Sequence, residues 1–146
     1  MNEKKPFVEV RDLTYSYEDG TQALKGINLT ISEGEFIAFI GQNGSGKTTL
    51  SKCLNGLFKP TTGSVLVDGL DSKTTSIVQM VKRVGYVFQN PDHQLFNNNC
   101  MDEIAYGPRN IGLSEEEVQE RVIEAAEVVG LNSIYFHEHP LSLIHI

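Results

Sequence analysis

Gly41-Gln42-Asn43-Gly44-Ser45-Gly46-Lys47-Thr48 meets the pattern G-x-x-x-x-G-K-[ST], and its reading decides the fold. Glycines admit backbone conformations that a side chain forbids, so successive N–H groups can turn inward as a nest for an anion. A helix opening near Lys47 adds its positive dipole end and its unpaired first-turn N–H groups. Lys47 is then placed to reach the β- and γ-phosphates of a nucleoside triphosphate, and the Thr48 hydroxyl to ligate Mg²⁺. A plain glycine turn would match this pattern by chance in roughly one chain in a few hundred. The surroundings lower that figure, because strand-like sequence precedes the loop and an amphipathic helix follows it.

Working outward, Phe36-Ile37-Ala38-Phe39-Ile40 is continuously apolar, the pattern of a strand buried on both faces. After the loop, Leu50, Cys53, Leu54 and Leu57 recur at helical spacing, which predicts a helix from about Lys47 to Leu57. Lys59-Pro60-Thr61-Thr62-Gly63 breaks it. On the N-terminal side, Phe7 to Tyr17 reads as a strand closed by Glu18-Asp19-Gly20. A second strand follows, half-buried and antiparallel, with Ile27, Leu29 and Ile31 alternating with polar residues. Downstream come a short strand at Val65–Val67, a helix over Thr74–Arg83 and an apolar strand at Val84–Phe88. The last helix is the best specified. Ser114 and Glu117 form a capping box, Leu113 and Val118 a hydrophobic staple, and Gly130 a left-handed C-terminal cap. Val118, Val122, Ala125, Ala126 and Val129 make its apolar face; Glu115, Glu116, Glu120, Glu124 and Glu127 make a solvated one.

Composition excludes several classes. The chain has 146 residues, a net charge of −7 and 40% hydrophobic residues. That balance argues against a nucleic-acid-binding stripe and against a direct lipid anchor. No run of about 18 apolar residues is present, and the polar start Met1-Asn2-Glu3-Lys4-Lys5-Pro6 is not a signal peptide. Cys53 and Cys100 read as packing thiols in a reducing compartment. The four histidines lack the spacing of a structural zinc site, so His93, His137 and His139 read as surface or loop residues.

The glycine loop by itself equally fits a kinase, a GTPase or a helicase-like motor. The surroundings narrow this. Leu24-Lys25-Gly26-Ile27-Asn28-Leu29, Glu33-Gly34-Glu35, the loop continued through Thr49-Leu50, Leu54-Asn55-Gly56-Leu57, Pro60-Thr61-Thr62-Gly63 and Val67-Asp68-Gly69 together resemble the ATP-binding cassette (ABC) ATPases. Val84-Gly85-Tyr86-Val87-Phe88-Gln89-Asn90-Pro91-Asp92, Gln94-Leu95-Phe96 and Asp102-Glu103-Ile104-Ala105-Tyr106-Gly107-Pro108 are similar to the ATPase of energy-coupling factor (ECF) transporters, a group that includes cobalt and nickel importers.

The resemblance implies an α/β fold. A phosphate-loop NTPase core (residues 36–89) would carry an antiparallel β lobe (8–31) and the start of a helical subdomain (90–140). It implies ATP rather than GTP, with Mg²⁺, held by Gly41, Gln42, Asn43, Gly44, Ser45, Gly46, Lys47, Thr48 and Thr49. Tyr17 falls on the aromatic that stacks on adenine, with its neighbour Tyr15 as the alternative. Gln89 falls on the glutamine that senses Mg²⁺ and the attacking water, which makes Lys47 and Gln89 the catalytic candidates and Thr48 and Gln89 the metal candidates. The implied partners are a second ATPase subunit, identical or not, a transmembrane coupling subunit and a membrane subunit that selects substrate. The implied place is peripheral, at the cytoplasmic face of the membrane. The implied activity is ATP hydrolysis driving uptake of a vitamin or metal ion. Two other readings stand beside it: a cassette ATPase that acts on nucleic acid, and a nucleotide-binding fragment without turnover.

The family's LSGGQ signature, Walker B carboxylates, D-loop and switch histidine have no counterpart here. After His139-Pro140 the chain runs Leu141-Ser142-Leu143-Ile144-His145-Ile146, which departs from the family pattern. These six residues are what CTGTCTCTTATACACATC encodes, a transposase mosaic end used in preparing sequencing libraries. One reading of residues 141–146 is therefore adapter, with the C-terminal part of the core missing; a natural frameshift or an unusual domain end is the other, and Leu141-Ser142 also fits the family's Leu-Ser. Phe36–Ile40 would then lack strand neighbours, and the 146-residue chain alone is expected to be poorly soluble and to turn over no ATP.

Overall fold

The computed structural model describes residues 6–145, which divide into two compact units on either side of the Tyr86–Val87 peptide bond. In the first unit, strands β1 (Pro6–Ser16) and β2 (Gln22–Ser32) form a hairpin. Helix α1 (Lys47–Leu54) follows the glycine loop, then strands β3 (Thr62–Val67) and β4 (Leu70–Asp71) and the short helix α2 (Ile77–Val81). The sheet has the order β2-β1-β3-β4, with every neighbouring pair antiparallel. The antiparallel sheet thus reaches past residues 8–31 to include β3 and β4.

One irregularity sets which side chains of β1 face the core. Val10 pairs with Leu29 but Leu13 pairs with Ile27, so β1 carries one residue more than β2 across this step. Asp12 sits there at φ 46. Its N–H donates to Asn28 Oδ1 at 2.9 Å, and Asn28 Nδ2 donates back to Asp12 Oδ1 at 3.0 Å. Such a bulge shifts a strand's alternation by one residue. Val8 and Val10 face the core before it; Leu13 and Tyr15 do so after it. Gly63 lies against the bulge, where a Cβ would run into the carbonyl oxygens of Arg11 and Asp12. Only a residue without a side chain passes there.

The core of this unit gathers Val8, Val10, Leu13, Leu24, Leu50, Cys53, Val65, Val67 and Met80. Helix α1 contributes Leu50 and Cys53 at i, i+3, and Leu54 packs at the edge. The helix stops three residues earlier than its periodicity predicts. Asn55 is its C-cap, Gly56 turns at φ 79, and the Asn55 side chain accepts from the Leu57 N–H, so Leu57 is left exposed. The helix expected over Thr74–Arg83 shortens to α2, because Thr74 and Thr75 are tied back to the Asp71 carbonyl and the Ser76 side chain accepts from Gln79 N–H as the cap.

Two expected strands do not form. Phe36–Ile40 has no strand geometry, and Phe36 and Ile40 are 96% and 95% exposed. Val84–Phe88 likewise forms no strand, with Val87 largely exposed. An apolar run becomes a strand only by exchanging backbone hydrogen bonds with a neighbour. Among the described residues no strand lies beside either segment.

In the second unit, helices α3 (Cys100–Asn110) and α4 (Glu115–Val129) pack on each other through Ala105, Val118 and Val122. Burying the two valines contributes about 1.5–3 kcal/mol each. The capping box of Ser114 and Glu117 is formed in both directions, Leu113 packs on the same cluster, and Gly130 caps the helix at φ 71. Val129 and Ala125, expected on the apolar face, are exposed, while Ala126 is buried. Asn99 caps α3 by accepting from Asp102 N–H. Arg109 bridges Asp102 and Glu115. It holds the Glu115 carboxyl below its ordinary range, and the Asn99 side chain, helped by Arg109, does the same for Asp102.

Candidate nucleotide-binding site

The glycine loop joins the 36–40 segment to α1. Gly44 and Gly46 take φ 80 and φ 91, conformations in which an L side chain is strained. At Gly46 space closes as well, since a Cβ would lie 2.9 Å from the Ala23 carbonyl oxygen and 3.0 Å from Leu24 Cδ2. At Gly41 a Cβ would lie 2.8 Å from Ser45 Oγ. The loop is therefore closed to a side chain at Gly46, where backbone is in the way, whereas at Gly41 the Ser45 side chain would have to turn aside.

Lys47 arches back over it. Its Nζ donates to the carbonyls of Gly41 at 2.7 Å and Gln42 at 2.8 Å, and to Ser45 Oγ at 3.3 Å. The ammonium is thus held over the loop by three neutral oxygens and no carboxylate, so its charge remains available to an anion. Gly46 is the N-cap of α1 and offers no side chain, so no side-chain cap occupies the first-turn N–H groups. Charge, dipole and open amides converge where a phosphate would lie. A cleft of about 430 Å³ opens beside the loop, lined by Lys47, Ser45 and the apolar Leu24, Ile27, Phe39 and Ile40 among others.

Thr48, at the second helical position, is exposed, with its hydroxyl available to a cation. Mg²⁺ takes oxygen ligands and is bound by a few protein groups together with substrate phosphates, so a lone hydroxyl in this place fits it. Thr49, expected among the phosphate contacts, is buried at 5% exposure, and its Oγ1 lies 2.7 Å from the Tyr17 hydroxyl. The structure thereby brings Tyr17 to the first turn of α1.

Tyr17 follows directly on β1, two residues beyond Tyr15, on the face that the bulge turned toward α1. Its ring meets Tyr15 edge-on at 5.2 Å and Phe58 edge-on at 6.1 Å. Tyr15 is engaged differently, stacked flat on Phe58 at 4.8 Å. Burial raises the Tyr15 hydroxyl above its ordinary pKa of 10.0, and neighbouring Tyr17 adds to this. Of the two tyrosines considered for a base platform, Tyr15 is spent on the core and Tyr17 is 39% exposed.

Gln89 belongs to the second unit and is exposed. The backbone around it is fixed locally: Phe88 N–H donates to Gln94 Oε1, and Asn90 caps a single 3-10 turn at Pro91–His93 by accepting from Asp92 N–H. Cys53 is fully buried and burial pushes its thiol up to about 11, so it is chemically quiet. Among the described residues no group of three or more His, Cys, Asp or Glu side chains is arranged for a metal ion. No pattern in the sequence flags Thr49 as the partner of Tyr17; the contact spans 32 residues and depends on the bulge.

The sequence profile of the family described as ABC transporter matches residues 24–143. The chain belongs to the ABC transporter family. Its cassette is 50% identical over 127 residues to the energy-coupling factor transporter ATP-binding protein EcfA of Methanothermobacter thermautotrophicus, covering 86% of this chain and 41% of that protein. It is 48% identical over 130 residues to EcfA2 of Clostridium acetobutylicum, covering 85% and 46%. Among solved structures, cbiO1 of Clostridium perfringens, part of the ABC transporter complex cbiONQ, superimposes with a TM-score of 0.77 at 36% identity, covering 97% of this chain and 56% of that one. A dimeric ATP-binding cassette in a post-hydrolysis state bound to ADP and Pi gives 0.78 at 28% identity, covering 93% and 62%. The cassette thus has the α/β fold of ABC ATPases, and the chain spans between 41% and 62% of the length of these relatives. No helix among the described residues is long and apolar enough to cross a membrane.

Proposed function

We propose that this cassette is the phosphate-gripping portion of the ATP-binding subunit of an ECF-type importer. In the full-length protein it binds Mg-ATP and, paired with a second ATPase subunit, hydrolyses it to drive uptake of a vitamin or transition-metal ion. The observation that carries the reading is the cradle of Gly41–Thr48 with the Lys47 ammonium held over it by neutral oxygens. Bound Mg²⁺ would neutralise phosphate charge, with Thr48 as the residue beside the loop that would hold it. Lys47 and the loop amides bind and orient the β- and γ-phosphates by charge and position. Tyr17 offers the adenine a platform. The relatives' names favour the importer; in this reading the protein works at the cytoplasmic face of the membrane, against a transmembrane coupling subunit and a substrate-selecting membrane subunit. A cassette acting on nucleic acid fits the net charge of −7 poorly.

The test is Mg-ATP titration of the full-length protein and its Lys47→Ala variant. Loss of a charge-assisted contact predicts affinity weaker by about ten- to a hundredfold. Equal affinity in the two proteins overturns the proposal. Co-purification with membrane subunits, rather than with nucleic acid, separates the importer from the alternative.

A further inference from the structure

We infer that Thr49 is a positioning residue for the nucleotide base, acting through the hydroxyl of Tyr17. The inference rests on the reading of Tyr17 as the base platform and deepens it. Tyr17 Oη and Thr49 Oγ1 are 2.7 Å apart. Thr49 is 5% exposed and lies on the first turn of α1, one residue beyond Thr48. Two other contacts hold the ring, the edge-on meetings with Tyr15 and Phe58. Those contacts are apolar and leave the ring free to slide or tilt. The hydroxyl bond is the directional one, and it fixes the ring relative to the element that holds the phosphates.

The geometry has a chemical consequence. A base platform on the strand and a phosphate cradle on the helix must stand at one fixed separation for both to engage one nucleotide. The separation between β1 and α1 is held by packing, which specifies distance but not ring orientation. The Tyr17–Thr49 bond supplies the orientation before any nucleotide arrives, which lowers the ordering cost of binding. Phenylalanine at 17 would offer the same stacking face without the tie. A valine at 49 would keep the shape of the threonine without its hydroxyl.

The test uses the full-length protein with two probes, ATP and inorganic tripolyphosphate, each with Mg²⁺. Tyr17→Phe and Thr49→Val are each expected to weaken ATP binding about two- to tenfold, the worth of one hydrogen bond. Neither should change tripolyphosphate binding. The double variant should lose no more than either single one, because one bond is removed in all three. Thr49→Ser, which keeps the hydroxyl, should restore ATP binding to within about twofold. Additive losses in the double variant overturn the inference. So does a Thr49→Val loss shared equally by tripolyphosphate, which would make Thr49 a phosphate contact. So does undiminished ATP binding by Tyr17→Phe, a substitution at a partly exposed site that leaves folding intact. Tyr17→Ala tests the underlying reading separately: an unchanged preference for ATP over tripolyphosphate removes Tyr17 from the base site altogether.

Discussion

Replacing Gly46 by alanine, with Gly44→Ala as its control, separates the two reasons a phosphate loop needs glycine. Both residues have positive φ, +91 and +80, so alanine at either position meets the left-handed penalty of about 1–2 kcal/mol. Their surroundings differ. A Cβ at Gly44 meets nothing within 4 Å, whereas one at Gly46 lies 2.9 Å from Ala23 O and 3.0 Å from Leu24 Cδ2. The first of these is a backbone atom of β2, a strand fixed by its ladder to β1, and it yields little. Overpacking of this kind costs about 1–3 kcal/mol more. Gly46→Ala should therefore destabilise the full-length protein by about 2–5 kcal/mol, and Gly44→Ala by about 1–2 kcal/mol. Since whole domains are stable by about 5–15 kcal/mol, the first change is a large share and the second a tolerable one. Urea unfolding followed by circular dichroism measures both, with equal m-values required for the comparison. If the two variants lose the same stability, the wall formed by Ala23 and Leu24 is not real and the steric half of the reasoning fails.

Four further outcomes can be checked. Neither Cys53 nor Cys100 should react with iodoacetamide at neutral pH in the folded protein, because both are buried and burial raises both thiols, Cys53 to about 11; labelling before unfolding would contradict this. Glu117 is held below its ordinary pKa of 4.5 by the Ser114 N–H, so its contribution to α4 is present above that value and lost as pH falls through the lowered one. Hydrogen exchange in the first turn of α4 should rise over that acid range in the native protein but not in Glu117→Gln, and identical profiles would refute the capping role. Expressed as 146 residues, the chain should partition into the pellet, and Phe36→Ser with Ile40→Ser should move it toward the supernatant, since those side chains are 96% and 95% exposed; an unchanged partition rejects the exposed segment as the cause. The same 146-residue chain should show no measurable ATP turnover, and a steady release of phosphate sensitive to Lys47→Ala would disprove that.

What was legible in the sequence was what neighbours in sequence determine. Ser114, Glu117 and Gly130 specify the ends of α4 through contacts three or four residues long, and both ends form as read. The alternation of Ile27, Leu29 and Ile31 gives β2 its inner face. The glycine loop follows from residue types that only one backbone path satisfies. Phe36–Ile40 and Val84–Phe88 have the apolar pattern of strands, but a strand is defined by its partner, which no local pattern supplies. Helix α3 went unnoticed, since Gly107 and Pro108 interrupt its helical pattern near the end. The bulge at Arg11–Asp12 was also invisible: Leu13 and Tyr15 look out of step with Val8 and Val10 until Asn28 and Gly63 are seen opposite them.

That bulge works as a half-turn in the parity of a strand. Removing one residue there, Arg11 or Asp12, would give β1 and β2 equal counts across the step and leave Leu13 and Tyr15 on the core side of an unbroken alternation. Straightening the strand without shortening it would do the opposite: Thr14 and Ser16 would swing inward against the helix, and both tyrosines would turn to water. The base platform therefore depends on Asn28 and Gly63, which hold the extra residue in place, although neither belongs to the phosphate loop.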